Sequence, residues 1–444
     1  MAADHPIRVV VEDDLRRSRL TVAFRLLLAI PHLVWFVLWS LVAFLLAIVN
    51  WLIALFRGRA PDSLHDFFTA YVRYSTHLYA YLLLAANPYP AFTGGPGYPV
   101  DVEIPDPERQ RRWTIAVRLL LAVPALLISA VLLSTPAGGG GGGSGGGGGR
   151  GGGEDAWAFL FGSGGGLAFV VAFLAWFVCL VRGRMPRGFR DLLAYALRFN
   201  AQTAGYLFLL TERYPNSDPA EPRAPGTEGY PAEQPVRLTV DDDRRRSRLT
   251  VAFRLLLALP HLVWLALWTV AALVAGVANW LVTLVTGRSP RALHRFLSAY
   301  VRYTIHVAAF LFLVANPFPG FTGAAGRYPV DVEIEGPDGQ HRLATLIRLL
   351  LAIPALLVSS GLGSLMFVAG VLGWFASLFT GRMPKGLRNA GAYALRYEAQ
   401  TNAYLYVLTD RYPYSGPSLP AEEPAEPEAT EGPDGPEPAL AATA

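Results

Sequence analysis

Residues 20–56 read LTVAFRLLLAIPHLVWFVLWSLVAFLLAIVNWLIALF, and this stretch decides the class of protein. Only Arg25, His32 and Asn50 are strongly polar within it. A helix needs ~20 predominantly apolar residues to cross a bilayer, and a soluble domain does not need an apolar block of this length. Comparable blocks occupy residues 249–285 and 343–379, and a fourth is divided into 113–134 and 156–181. The sequence therefore predicts an all-α integral membrane protein.

The composition argues against several classes of function. The net charge of +4 gives little support to a nucleic-acid partner. Lys385 is the only lysine and Cys179 the only cysteine, which argues against a Walker lysine and excludes an intrachain disulfide. The sequence contains no HExxH, GxSxG or Gly-Lys-Ser/Thr motif. We therefore expect no metal, no cofactor and no enzymatic activity.

Internal repeats divide the chain into two modules. SRLTVAFRLLLA at residues 18–29 recurs at 247–258, and YPVDVEI at 98–104 recurs at 328–334. These repeats place a first module at 5–215 and a second at 235–413. Residues 216–234 have the Pro, Glu and Ala content of a linker, and the acidic tail 414–444 is predicted to be disordered.

Each module is itself double, which gives four units. Every unit should begin with a short alternating strand and continue into the apolar block, after which proline starts a second helix. The strands are candidates to pair into a small cytoplasmic sheet. An RLLLA segment followed by one residue and proline begins at Arg25, Arg118, Arg254 and Arg348, and Gly-Arg-x-Pro begins at Gly58, Gly183, Gly287 and Gly381.

A glycine-rich insertion at about 135–155 suggests how each block crosses the membrane. The insertion lengthens only the second apolar block, and its polar backbone must reach water because unpaired peptide groups are costly in hydrocarbon. Arginines flank both ends of the blocks, which by the positive-inside rule places both ends in the cytoplasm. We therefore predict four transmembrane hairpins in the cell membrane with both termini cytoplasmic. The alternative is four long kinked helices.

Two sets of arginines recur in all four units. The second helix carries one arginine before an aromatic residue, and we interpret this helix as interfacial, with the arginine in a solvated or headgroup-facing stripe that positions it. The sharper hypothesis is that each arginine contacts an anionic lipid or ligand headgroup, since guanidinium suits phosphate. These headgroup candidates are Arg73, Arg198, Arg302 and Arg396.

The second set lies about five residues inside the apolar blocks. We expect these side chains to snorkel to the headgroup region, with an intramembrane ion site as the alternative. They are Arg25, Arg118, Arg254 and Arg348.

The YPVDVEI segment, the RLLLAIP block and the Gly-Arg-x-Pro helix with its Arg-Tyr pair resemble an actinobacterial membrane family, domain of unknown function 4389. The resemblance covers most of residues 5–413 as two tandem copies. It implies a membrane location and no particular activity.

Three hypotheses for function follow. We favour a non-enzymatic membrane protein that organises lipid, anionic lipid included, or recruits a partner at the inner leaflet. The second hypothesis is a transporter or channel built from parallel repeats, with Asn50 and Asn279 as its only polar candidates inside the blocks. The third is a membrane enzyme that uses the histidines of units 1 and 3.

Overall fold

The structure, a computed structural model, describes residues 5–133, 166–219, 231, 234–337 and 339–418. These residues are mostly helical, with two small antiparallel sheets. The glycine-rich insertion, most of the linker 216–234 and the tail from residue 419 lie outside the described residues.

The first module contains units 1 and 2. Unit 1 has strand β1 (Arg8–Val11), a long helix α1 (Arg19–Arg57) and a second helix α2 (Asp62–Leu82). Unit 2 has β2 (Val100–Glu103), a short helix α3 (Arg112–Ala116), two apolar helices α4 (Arg118–Leu133) and α5 (Leu167–Arg182), and α6 (Arg187–Leu207).

The second module repeats this order. Unit 3 has β3 (Val236–Val240), α7 (Arg248–Ala252), α8 (Arg254–Thr286) and α9 (Arg291–Leu311). Unit 4 has β4 (Val330–Ile334), α10 (Arg342–Leu346), α11 (Arg348–Thr380) and α12 (Lys385–Leu405). Each long apolar stretch ends at the glycine of Gly-Arg-x-Pro, which adopts the left-handed conformation that glycine tolerates best.

The structure corrects the predicted hairpins. In units 1, 3 and 4 the apolar block is a long continuous helix through its midpoint. Within the described residues, three helices are long and apolar enough to cross a membrane. Leu38-Trp39-Ser40 contains no helix breaker, and the glycines near Ser360 cost a helix only about 1 kcal/mol each. Gly361 also packs so closely on Leu167 that a β-carbon would lie 2.7 Å from a methyl group. The alternative of long helices therefore fits these three units.

The elements form three layers. The long helices pack on the second helices, and the second helices pack in turn on the strands. Each module has one two-stranded sheet, with Val9 opposite Val102 in the first and Leu238 opposite Val332 in the second. The predicted short strands are thus confirmed, as a separate sheet for each module.

Within a module, the two units contact each other reciprocally. The Trp51 indole donates to the Ile115 carbonyl at 2.9 Å, and the Trp176 indole donates to the Val22 carbonyl at 3.1 Å. Trp280 and Trp374 repeat the exchange in the second module. The start of each long helix therefore meets the end of its partner, as in a two-fold pair.

The outer face of the long helices is apolar and exposed. In α1, the buried stripe consists of small or polar residues such as Ala29, Ala43 and Ala54, whereas Leu26 is 75% exposed and Phe44 is 64% exposed. Small inward residues and large outward ones are typical of helices that pack in a bilayer. Only 11% of the most apolar segment is buried in α1, 17% in α8 and 39% in α11. In unit 2, α4 and α5 pack on α11. Units 1 and 3 are therefore called the outer units, and units 2 and 4 the inner units.

Candidate functional site

In the outer units, the arginine of the second helix binds the strand that comes next in the chain, β2 or β4. Arg73 Nε donates to the Val102 carbonyl at 3.2 Å and lies 3.3 Å from an Asp101 carboxylate oxygen. His77 Nε2 lies 2.9 Å from the same oxygen. Arg302, His306 and Asp331 repeat this arrangement in unit 3. These groups fix the second helix to the edge of the sheet.

Hydrogen bonds in this cluster outweigh the effect of burial on the two carboxylates. Burial raises the pKa of Asp101, but hydrogen bonds from His77 and from the Gly97 and Val102 amides lower it by more than burial raises it. The pKa is therefore below its usual value. The pKa of Asp331 is lowered in the same way. Both carboxylates therefore remain charged at neutral pH.

In the inner units, the equivalent arginines are buried in the protein. Arg198 Nη2 donates to the Asp218 carbonyl at 2.6 Å, and Arg396 Nη1 donates to the Ser418 carbonyl at 2.7 Å. Arg198 is 3% exposed and Arg396 0%. Burial lowers the pKa of the Arg198 guanidinium, while Tyr195 and Asp218 act to raise it.

This geometry changes the interpretation of Arg73, Arg198, Arg302 and Arg396. The inner pair cannot reach a headgroup, because each guanidinium is enclosed and donates to backbone carbonyls. The outer pair is partly exposed but also donates to carbonyls. In each unit the arginine attaches the second helix to a neighbouring chain segment through its carbonyl, which explains why the arginine recurs.

The arginines of the RLLLA segments do not snorkel. Arg25 Nη1 donates to the Tyr81 carbonyl and, at 2.9 Å, to the Ala86 carbonyl, and its guanidinium carbon lies 4.4 Å from the Tyr81 ring centre. A cation is favourable there because the last carbonyls of a helix lack partners and carry the negative end of its dipole. Each of the four is at most 2% exposed. The same contacts recur for Arg118, Arg254 and Arg348 at the ends of α6, α9 and α12.

A residue with left-handed backbone conformation lies between the two carbonyls that each of these arginines binds. Leu84 has φ of 64°, and Leu209, Leu313 and Val407 adopt the same conformation just after their helices. Leucine and valine rarely adopt positive φ, which costs free energy unless the surroundings enforce it. The guanidinium donates to carbonyls on both sides of the turn, and these hydrogen bonds hold the residue at positive φ. No local sequence signal marks these residues, since nothing distinguishes them from other apolar positions.

The polar residues inside the long helices also have internal partners. The Asn50 amide donates to the Phe208 carbonyl at 3.0 Å, and Asn279 donates to the Tyr406 carbonyl at 2.8 Å. His32 Nδ1 lies 3.0 Å from the Tyr74 hydroxyl, and its ring stacks on Phe92 with centres 4.0 Å apart. Among the described residues, no group of three or more His, Cys, Asp or Glu side chains is placed to hold a metal ion.

The two chain segments that follow the modules each contact both modules. The Asn389 amide donates to both Asp218 carboxylate oxygens at 2.9 Å, so the end of module 1 docks on module 2. The Tyr414 hydroxyl lies 3.3 Å from Asp191, so the end of module 2 docks on module 1. The expected linker and disordered tail therefore begin with docked residues, 216–218 and 414–418.

Two open cavities are lined by arginines. One, of about 630 Å³, lies between the start of unit 3 and the end of α11, beside Arg244, Arg245 and Arg382. The other, of about 540 Å³, lies between α9 and the segment after β4. Neither cavity is predictable from the sequence, because the lining residues of each are far apart in the chain.

The family comparison agrees with these repeats. A family model described as Domain of unknown function (DUF4389) matches residues 19–94, 156–217, 248–322 and 342–415, one match for each unit rather than the two copies expected from the sequence. No curated protein and no solved structure matches the chain significantly. Because the matches cover more than half of the residues, the chain belongs to the DUF4389 family.

Proposed function

We propose that the protein is an integral, non-enzymatic membrane protein that organises anionic lipid at the cytoplasmic surface of the cell membrane. The observation that carries the proposal is the exposed face of the long helices, where leucine, valine and phenylalanine side chains such as Leu26, Phe44 and Phe56 are 64–75% exposed. Soluble proteins rarely expose contiguous apolar patches of more than a few hundred Å². Hydrocarbon is the environment in which this surface is stable.

The length of the long helices favours a strong tilt away from the bilayer normal. At ~1.5 Å per residue, 33 to 39 residues correspond to about 50–58 Å, well beyond a ~30 Å hydrocarbon core. A long apolar helix accommodates such an excess by tilting or kinking. Each long helix contains a proline near its start, such as Pro31, which supplies a place to bend.

Exposed arginines at the helix ends supply the contacts with anionic lipid. The backbone pairing of Arg17 with Gly183, and of Arg246 with Gly381, brings the start of one long helix to the end of its partner. Exposed basic side chains therefore collect at these junctions, each worth about 1 kcal/mol near an anionic leaflet. They include Arg16, Arg19, Arg182, Arg184, Arg245, Arg248 and Arg382.

Both described chain ends lie in the layer of second helices and sheets. Gln202 donates to the Ile7 carbonyl near the start, and Arg396 donates to the Ser418 carbonyl near the end. This shared location supports placing both termini on the same, cytoplasmic side. Transport receives less support, because Asn50 and Asn279 each donate to a carbonyl at the end of a second helix.

Membrane fractionation and lipid analysis test the proposal. Full-length protein should stay with membranes washed in alkaline carbonate, and anionic lipids should be enriched in the detergent-purified protein relative to the bulk membrane. Release by carbonate, or a bound-lipid composition equal to the bulk, would contradict it. Solute or ion flux in proteoliposomes above that of empty liposomes would instead support the transporter.

A further inference from the structure

The 540 Å³ cavity of unit 3 has the side chains of an anion-binding site. It opens between the first turns of α9 and the chain that follows β4. The polar side chains on its wall lie on one face of α9, at spacings of three and four residues. Its lining consists of Arg291, His294, Arg295, Ser298 and Arg302, closed on the other side by Ile334, Gly336 and Pro337.

Two of these arginines carry positive charge that no described residue neutralises. Arg302 is paired with Asp331, whose oxygen lies 3.1 Å from its Nε. Arg291 and Arg295 are exposed and form no ion pair with any described residue. Arg295 Nε lies 3.4 Å from the Arg291 carbonyl, at the limit of a hydrogen bond. The open side of the cavity therefore presents two guanidinium groups to an incoming ligand.

The equivalent positions in unit 4 already hold an anion. Lys385 and Asn389 stand where unit 3 has Arg291 and Arg295. They hold the Asp218 carboxylate, with 2.9 Å from the Asn389 amide and 3.9 Å from the Lys385 ammonium. In unit 4, this face of the second helix therefore binds a carboxylate.

The other two units show why unit 3 differs. In unit 1 the same positions are Asp62 and Asp66, and Asp62 pairs with Arg59, so that surface is not basic. In unit 2 the face is covered by the segment at Ser415, which lies 2.6 Å from where a β-carbon of Gly188 would be. Of the four equivalent faces, that of unit 3 is both open and lined by unpaired arginines.

We infer that the unit 3 cavity binds a phosphate-bearing anion through Arg291 and Arg295. Guanidinium groups match the geometry of phosphate oxygens and form charge-assisted hydrogen bonds with them. The inference rests on the proposed function in its binding of anionic lipid, and it adds a site at the other end of α8 from Arg245 and Arg248. The cavity begins just beyond Val285, which is 73% exposed at the end of the apolar surface of α8, so a lipid phosphate fits this position. A soluble phosphate has the same chemistry.

The test is a double variant that gives unit 3 the residues of unit 1. Arg291→Asp with Arg295→Asp should fold, because the chain carries aspartates at both equivalent positions. The matched control, Arg109→Asp with Arg327→Asp, makes the same charge change at exposed sites outside the cavity. Binding is measured for the full-length protein in nanodiscs of phosphatidylcholine with added phosphatidic acid, and separately with inorganic phosphate.

The expected result is an affinity at least tenfold weaker for the double variant, with the control close to wild type. A loss confined to phosphatidic acid identifies a lipid site, and a loss for inorganic phosphate identifies a soluble ligand. Equal binding of all three proteins to both probes would overturn the inference. Carbonate extraction of the same variants reports separately on membrane insertion, so failure of this site is distinguishable from failure of the proposed function.

A gain-of-function variant makes the test reciprocal. Asp62→Arg with Asp66→Arg transfers the two arginines to unit 1, next to Arg73 and His65. We expect it to bind about one further equivalent of the same probe. Unchanged stoichiometry in a folded protein that binds at unit 3 would show that helix position and charge do not suffice, contrary to the inference.

Discussion

The outer and inner units use the same arginine for different contacts. In units 1 and 3 it pairs with an aspartate on the adjacent strand and keeps some exposure, as in Arg73 with Asp101. In units 2 and 4 it is enclosed and donates to the chain segment that follows its helix, as in Arg396 with Ser418. Position along a helix therefore fixes which face an arginine lies on, while its partner depends on which segment covers that face.

The same contrast holds for the long helices. Most of α1 is exposed, whereas α11 packs on α4 and α5 of the first module. A similar apolar composition thus produces a mostly exposed helix in one unit and a helix partly covered by protein in another. Variants at equivalent positions can break or sharpen this comparison.

The largest effect is expected from removing the arginine at the start of an inner long helix. Arg348 binds two carbonyls, the Gln340 side chain and the Asp410 carboxylate at 2.7 Å. Arg348→Met leaves these groups without their cation and should lower the free energy of unfolding by about 3–5 kcal/mol. Arg25→Met in the outer unit, where no carboxylate is bound, should cost about 1–3 kcal/mol. Denaturant unfolding in detergent measures both, and equal losses would contradict the distinction.

The second expected effect concerns the apolar faces. Leu365 in α11 is 0% exposed, so Leu365→Ala should cost about 2–5 kcal/mol through lost contacts and a cavity. Phe44 in α1 faces outward, and Phe44→Ala should change stability by less than about 0.5 kcal/mol. Thermal unfolding in one detergent compares the pair. A large loss at Phe44 would mean that α1 is covered by protein, for example by a second copy.

A smaller difference in stability is expected between variants of the second-helix arginines. Arg396→Gln removes a buried guanidinium from several carbonyls and should cost about 2–3 kcal/mol, whereas Arg73→Gln should cost about 1 kcal/mol because water reaches its partners. Anionic lipid retained by each purified variant provides a second readout. If Arg73→Gln lost more lipid than Arg396→Gln with the fold intact, the outer arginine would contact headgroups as first predicted from the sequence.

The smallest expected effect is a loss of local stability at low pH. The pKa of Asp101 is lowered in the folded protein, so its contribution to stability is present above the ordinary pKa of about 3.8 and is lost as pH falls through the lower folded value. Hydrogen exchange of β2 should accelerate below about pH 4, and Asp101→Asn should remove that dependence. The residue just before β1 is held by a neutral group, since Gln202 donates to the Ile7 carbonyl, so exchange of β1 should respond less. Equal acceleration of both strands would show that they open as one sheet.

Much of the architecture was predictable from the sequence. The four apolar blocks, the short strands and the second helices follow from local hydrophobicity, alternation and the Gly-Arg-x-Pro motif. The hairpin prediction was wrong because it extended the evidence of one insertion to units without it, where Leu38-Trp39-Ser40 continues the helix. Arg25 was expected to snorkel but is buried against carbonyls, because its exposure was inferred from its position within one helix. The headgroup contact of Arg73 stays a prediction, and the structure adds the Val102 carbonyl and Asp101 as its partners.

By itself, the sequence determined that this is a repeated chain with apolar helices long enough to cross a membrane. Those properties depend on composition and short-range periodicity, which the chain carries locally. The tertiary structure alone decided that Arg25, Arg254 and Arg348 each reach a carbonyl 56 residues away, and that, in the part of the chain that the structure describes, Arg291 and Arg295 line an open cavity on the second helix of unit 3. The partner of a buried cation is the group that packing brings within about 3 Å, and that proximity is set by how the four units dock.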